Sequence, residues 1–572
     1  MLSDVIKVFE QEYKKYGDKY ITDKYIPDDG EYIIVDSKNG EFKILDRILV
    51  KKDKKTKEID TSNPYFEFIQ RADYMSKYLD SNKAIADKNI HSNNYLTFFI
   101  KKENLHNGKI NNDTIEKYYE ILRNPLIKYG KKSNSKKLYL SVEKKYGKPD
   151  KDRIDRIENW MKNNIFSLTS SDSKDKTYLK IFFLYDSMIY EQESERYILV
   201  NIYNSNDYNV EIEEITYGLP NDNMGLNSKK PYLENKSRKN SIPYLISSEA
   251  ALIQRKFFDY LGTQVAVGKN NIYIDIEENS MNPYGNDETP GKDIHGGYYI
   301  RLKKGKEIEI IDFDVIGLYK PNINPINIDN VLELKKSNMQ YHQVHSLTTL
   351  KNIINEVFFS KYLANNYFTD AKDIKINNNS LKRNLLLSRT ALFAWFYKGN
   401  DSYVWKVLNA SSLDLVKGSI VNGYLPKAGE QFNLRCGLKV YFEGGEPMAD
   451  LLMDVKNSLR LKINKNETEK IEGDNEYYFA VGQLVSFFIS LSKGRNKVHS
   501  LANPVINART DEKIKLELKK LYKKYNYTIS TGSNRFKNLF AMVAAYVPEE
   551  KVKDDLIIAG YLHSNLVYEK SE

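Results

Sequence analysis

The chain has 572 residues, 41% of them hydrophobic, and its 87 basic residues against 77 acidic ones give a formal charge of +10. This length suits two to four domains with large cores, and no apolar run reaches the 18 or so residues of a membrane span. One cysteine, Cys436, excludes an internal disulfide and a cysteine-based zinc site.

The basic balance favours polyanionic partners, but only weakly. Richness in Lys, Asn, Ile and Tyr is also what AT-rich coding produces, so local clusters say more than the total. The first ten residues carry acids early and lack the apolar centre of a secretory signal. A cytoplasmic protein is expected.

A helix is expected over 3–16, with Val5, Ile6, Val8 and Phe9 on one side. A hairpin of 31–36 and 41–50 follows, around the turn signal Asn39-Gly40. A charged loop over 51–57 ends it. The spacing predicts helices over 65–79, 113–128 and 153–163, and strands over 95–100, 179–185 and 196–203. Residues 218–243, with Gly218, Pro220, Gly225, Pro231 and Pro243, read as a long connector. A helix over 247–260 and strands over 272–276, 297–302 and 308–311 come next. The asparagine-rich stretch 322–330 reads as a domain junction.

Beyond residue 345 strand signals nearly vanish. Helices are expected over 347–364, 382–397, 403–415, 432–441, 448–461, 477–493, 511–525, 534–546 and 552–565. The fold class is therefore an α+β N-terminal region followed by an all-α C-terminal helical bundle. The expected domains are 1–340, with the long basic loop 218–243, then a helical domain 341–447 and a smaller helical bundle 448–572.

Catalytic constellations are near misses. The stretch 262–269, Gly-Thr-Gln-Val-Ala-Val-Gly-Lys, approaches a phosphate loop but has five residues between its glycines. Asn270 stands where Ser or Thr is needed. Asp312 and Asp314 follow a strand and could hold magnesium, as in a nuclease, but no further acidic motif accompanies them. His342 and His345 have helical i, i+3 spacing without a third ligand. Cys436 reads as a buried structural thiol. No catalytic residue, metal ligand or cofactor is assigned.

Basic clusters carry more. In 128–148, lysines interleave with Tyr129, Tyr139 and Tyr146. Lysines can neutralise phosphates and tyrosines can stack on bases; the bland reading is a solvated face. In 227–239 five cations and a tyrosine lie in the long connector. Asn227, Lys229, Lys230, Tyr232, Arg238 and Lys239 are the candidate nucleic-acid contacts. A third cluster, Lys515, Lys519, Lys520, Lys523 and Lys524, reads as an ordinary polar helix face. His91, Asn93 and Asn94 precede an apolar strand and read as capping its entry.

Three stretches resemble one family: residues 90–102, Ile-His-Ser-Asn-Asn-Tyr-Leu-Thr-Phe-Phe-Ile-Lys-Lys; residues 218–233 with 237–246; and the bundle segments 477–486, 491–500 and 534–540. They are similar to the large subunit of type I-B CRISPR interference (Cascade) complexes. That resemblance implies a non-catalytic subunit beside the crRNA 5′ handle. It would read the protospacer-adjacent motif of target double-stranded DNA, help open the strands and recruit a separate helicase-nuclease. The other Cascade backbone subunits would be its neighbours. Some members carry paired cysteines that look like a zinc ribbon; this chain, with Cys436 alone, departs there. Two alternatives stay open: a metal-dependent nuclease using Asp312 and Asp314, and an interaction protein that binds no nucleic acid.

Relatives of the family can obtain a helical small subunit by internal translation of the large-subunit message. Glu443-Gly444-Gly445 can be encoded by a ribosome-binding sequence, with only the Glu446 and Pro447 codons before Met448. A product spanning 448–572 would start at a helix boundary.

Overall fold

The structure is a computed structural model that describes residues 2–36, 41–53, 59–77, 84, 89–168, 175–203, 205–220, 245–305, 308–494, 497–530 and 532–569. Its contacts divide the chain into two compact units. The first is Met1–Glu288 with Gly296–Val315, and the second is Thr289–His295 with Ile316–Glu572. The N-terminal region is α+β and the C-terminal region is helical. Among the described residues no helix is long and apolar enough to cross a membrane.

The first unit is organised by a four-stranded sheet of order β2-β1-β4-β3, made of β1 (Gly30–Asp36), β2 (Lys43–Val50), β3 (Thr97–Lys101) and β4 (Tyr178–Leu184). The expected hairpin forms, with β1 antiparallel to β2; its Asn39-Gly40 turn lies outside the described residues. β1 also pairs parallel to β4. Tyr32, Ile33, Ile34 and Val35 are all buried, as a central strand covered on both faces requires. β2 alternates exposed with half-buried residues, the pattern of an edge strand.

A small sheet, β5 (Val210–Ile212), β6 (Ile215–Gly218) and β7 (Ile246–Ser247), precedes the helix Ser248–Ala266. That helix packs on a second four-stranded sheet of order β11-β10-β8-β9, built from β8 (Lys269–Asp275), β9 (Ser280–Gly285), β10 (Ile294–Lys304) and β11 (Ile308–Tyr319). Phe257 and Leu261 share its core with Phe9 of the N-terminal helix Leu2–Tyr16.

Several sequence expectations need correcting. Residues 196–203 are not a strand: the helix Ser187–Val200 runs through most of them. The apolar run 197–200 reads equally well in either period. Helix wins because Tyr190, Glu193, Arg196, Tyr197 and Val200 bury together at helical spacing. Asp186 caps that helix by accepting from the Met188 amide at 2.8 Å. The helix expected over 113–128 stops at Arg123 and restarts at Leu126, on either side of Asn124-Pro125. The chain passes from one unit to the other within β11. The asparagine-rich stretch 322–330 is no open junction, since β12 (Asn322–Asn327) pairs with β13 (Gln343–Ser346).

In the second unit every helix expected beyond residue 345 is present, with shifted ends. One continuous core includes Val416, Phe432 and Cys436 together with Leu452, Phe479, Leu484 and Ile557. Residues 341–447 and 448–572 therefore share a core inside a single compact unit.

Candidate nucleic-acid interface

Asn227, Lys229, Lys230, Tyr232, Arg238 and Lys239 lie outside the described residues. What is described is the stem from which their segment leaves and to which it returns. Gly218 pairs with Ile246 across the antiparallel β6–β7 ladder. Tyr203 forms a bridge with Pro220, and its buried hydroxyl donates to the carbonyls of Thr216 at 2.8 Å and Ile246 at 3.1 Å. Burial pushes the Tyr203 phenol well above its ordinary range. A Cβ at Gly218 would collide with the Tyr203 ring, so the stem closes only with glycine there. Ser247 then caps the following helix by accepting from the Ala250 amide.

The basic cluster 128–148 folds mostly as a helix that the sequence did not reveal, Ser133–Tyr146. Leu138, Tyr139 and Val142 bury one side. Lys136, Lys137, Lys144 and Lys145 are exposed on the other, and Lys131, Lys132 and Lys148 are exposed just beyond the helix ends. Residues 128–148 hold eight lysines and one acid, Glu143. Lys132 comes within 3.7 Å of Asp207, and Lys145 within 3.9 Å of Glu195.

This helix and the stem are built on one scaffold. The Asn134 amide donates to the Asn206 carbonyl at 3.0 Å, and the Asn206 amide donates to Ser135 Oγ at 3.1 Å. Asn206 stands just ahead of β5, the strand that leads into the stem. The basic helix and the stem that brackets the segment 221–244 thus share a scaffold in the first unit. Neither period nor composition carried a signal for that adjacency.

Two of the three tyrosines of 128–148 belong to the core and do not play the part read for them from the sequence. Tyr129 and Tyr139 stack on each other inside the core, their centroids 5.9 Å apart. Tyr129 accepts a hydrogen bond from the Asn201 amide at 3.0 Å, and burial pushes its phenol up to about 12. Tyr146 donates to Glu195. The buried Tyr129 and Tyr139 rings cannot stack on bases, and Tyr146 is half-buried.

The stretch 262–269 is mostly helix, which runs through Ala266, and so forms no phosphate loop. Asp312 is half-buried and Asp314 exposed, both within β11 instead of beyond a strand end. Among the described residues no group of three His, Cys, Asp or Glu is placed to hold a metal. His345 lies in β13 and His342 just before it, so they share no helix face. Cys436 is buried, which pushes its thiol well above the ordinary range. Of the third lysine cluster, Lys515 pairs with Asp511 at 2.9 Å and Lys520 with Glu517 at 2.9 Å.

At the strand entry over 90–96 the outcome is split. Asn94 makes the expected turn: its Oδ1 accepts from the Leu96 amide at 3.0 Å and its Nδ2 donates to the Tyr190 carbonyl at 3.1 Å. Asn93 is buried, and neither side-chain atom is hydrogen-bonded among the described residues.

Fold and site define a two-unit chain with an α+β part that carries a basic helix beside a closed loop stem. No family model, no curated protein and no solved structure matches the chain.

Proposed function

We propose that this chain is the non-catalytic large subunit of an RNA-guided type I-B surveillance complex, binding target duplex DNA through the basic side of its first unit. The observation that supports the reading is that the basic helix Ser133–Tyr146 and the stem bracketing the segment 221–244, whose sequence is basic, are built on one scaffold. The sequence resemblance adds the complex: crRNA, backbone subunits and a helicase-nuclease as partners. In this reading Lys136, Lys137 and Lys144 neutralise backbone phosphates without reading sequence, and Asn227 and Tyr232 in the connector reach bases.

The test is equilibrium binding of the full chain to a duplex across a salt series. Replacing Lys136, Lys137 and Lys144 by Ala should weaken binding to all sequences alike and lower the salt slope by about 0.9 for each contact removed. Unchanged affinity and slope in the triple variant would remove this face from the reading.

A further inference from the structure

The hairpin β5–β6 is unusual on three counts. Its two-residue loop is Glu213-Glu214, both at positive φ, 50° and 64°. Such turns ordinarily take Asn or Gly, so glutamate holds this conformation at a cost. Val210, Ile212 and Ile215 are each about half exposed, at 46%, 53% and 46%. Val210 pairs with Tyr217 and Ile212 with Ile215, so these side chains form one apolar ladder. Glu211, Glu213 and Glu214 add three acids in four residues, and none forms an ion pair among the described residues.

The complementary surface lies on the same scaffold. On the helix Ser133–Tyr146, Lys136, Leu140 and Lys144 follow at i, i+4 spacing on the exposed side, with Lys137 beside them. Leu140 is 43% exposed, an apolar centre within a lysine rim. Lys136, Lys137 and Lys144 form no ion pair among the described residues either. The hairpin is thus apolar and acidic, and the helix face apolar and basic. They are neighbours in the fold, yet among the described residues no ion pair joins them.

We infer that two copies of the chain associate about a two-fold axis, the acidic hairpin of each seated on the Lys136-Leu140-Lys144 row of the other. Two complementary patches on one unit allow a symmetric exchange that closes at two copies. Nucleic acid is a poor occupant of the hairpin, because three carboxylates repel phosphate. Exchange would also cover lysines that the proposed function assigns to DNA, so duplex and second copy would compete.

Sedimentation velocity of the full chain tests this without nucleic acid. A dimer is expected at low salt and a monomer near 0.5 M salt, where the Debye length is only a few Å. Reversing the hairpin (Glu213→Lys with Glu214→Lys) should weaken the dimer by about tenfold or more, as should reversing the face (Lys136→Glu with Lys137→Glu). Ile212→Ser should weaken it at unchanged charge. Mixing the two reversed variants should restore the dimer, since both exchanged contacts are then complementary. Circular dichroism melts matching the parent chain show that the variants fold. A monomer at every salt concentration overturns the proposal. So does a dimer indifferent to both reversals, or one that mixing does not restore. Duplex binding that persists while the dimer fails leaves the DNA reading standing.

Discussion

Gly482 and Gly560 stand at the crossing of two helices, Asp474–Ser490 and Asp554–Leu562, each against the backbone of the other. A Cβ on Gly482 would come closer than 3.0 Å to the Ile557 carbonyl oxygen, and one on Gly560 closer than 3.0 Å to that of Phe479. Gln483 ties the same crossing: its Nε2 donates to the Gly560 carbonyl at 2.6 Å and its Oε1 accepts from the Leu566 amide at 2.8 Å. Backbone sits on both sides, so a methyl group cannot be absorbed by a rotamer change. Gly482→Ala should destabilise the second unit by about 3 kcal/mol, near the upper end of overpacking costs. Urea unfolding followed by tryptophan fluorescence measures it; a cost below about 1 kcal/mol would contradict the crossing.

Asn94 and Asn93 should behave differently despite being adjacent and both buried. Asn94→Ala removes two hydrogen bonds and leaves the Tyr190 carbonyl and Leu96 amide short of a partner. It should cost about 1–3 kcal/mol. Asn93→Ala removes an amide that has no partner to lose, and should cost clearly less. Denaturant midpoints of the two variants decide the order.

Lys180 lies buried on β4, 2.6 Å from Asp73 and 3.2 Å from Asp28. Burial pushes its amine down, but the two carboxylates outweigh burial and hold it above the ordinary range. Burial pushes Asp28 up, yet Lys180 and Lys77 hold it below the ordinary range. The Lys180 share of stability is complete below the ordinary amine value and fades as pH rises through its raised folded value. The Asp28 share is present above the ordinary carboxylate value and fades as pH falls through its lowered one. Lys180→Met leaves Asp73 buried without its cation, so at pH 7 it should cost about 3–5 kcal/mol. The gap to the parent chain should narrow below about pH 4, once carboxylates take up protons. Unfolding midpoints across pH check the sign.

Tyr139→Ala should lower stability and leave duplex affinity per folded molecule unchanged, because its ring is part of the core. In contrast, Lys229→Ala with Lys230→Ala in the connector should weaken duplex binding and lower the salt slope while the melting temperature stays put. Binding isotherms and melts on both variants separate the roles. Lost binding at normal stability in Tyr139→Ala would reverse the assignment.

Met448 opens the helix Met448–Ile463, separated by two residues from Gly444 and Gly445, both at positive φ. If translation also starts there, a C-terminally tagged native gene yields a second product spanning 448–572. Synonymous recoding of Glu443, Gly444 and Gly445 should abolish that product. Its core faces Val416, Phe432 and Cys436 in the full chain, so the short product should expose apolar surface and bind a hydrophobic dye more strongly than the full chain does. A single band before and after recoding disposes of the internal start.

Local pattern carried much of the architecture. Apolar residues at helical spacing marked the helices beyond 345, because a helix on a large core must keep one stripe buried whatever it packs against. Alternation or an unbroken apolar run likewise marked β1 to β4. The sequence failed where two periods fit one run, as at Tyr197 to Val200, and where lysine density hid a helix, as at 133–146. That Tyr139 belongs to the core was invisible, since a tyrosine in a basic stretch reads the same whether buried or exposed. Only the tertiary structure put Tyr139 in the core, and only it joined the helix Ser133–Tyr146 to the stem at Gly218 and Ile246. Such adjacency depends on contacts between residues far apart in the chain, and these leave no local period to read. Composition alone established a basic chain with one cysteine; the backbone's path through space decided where that charge gathers.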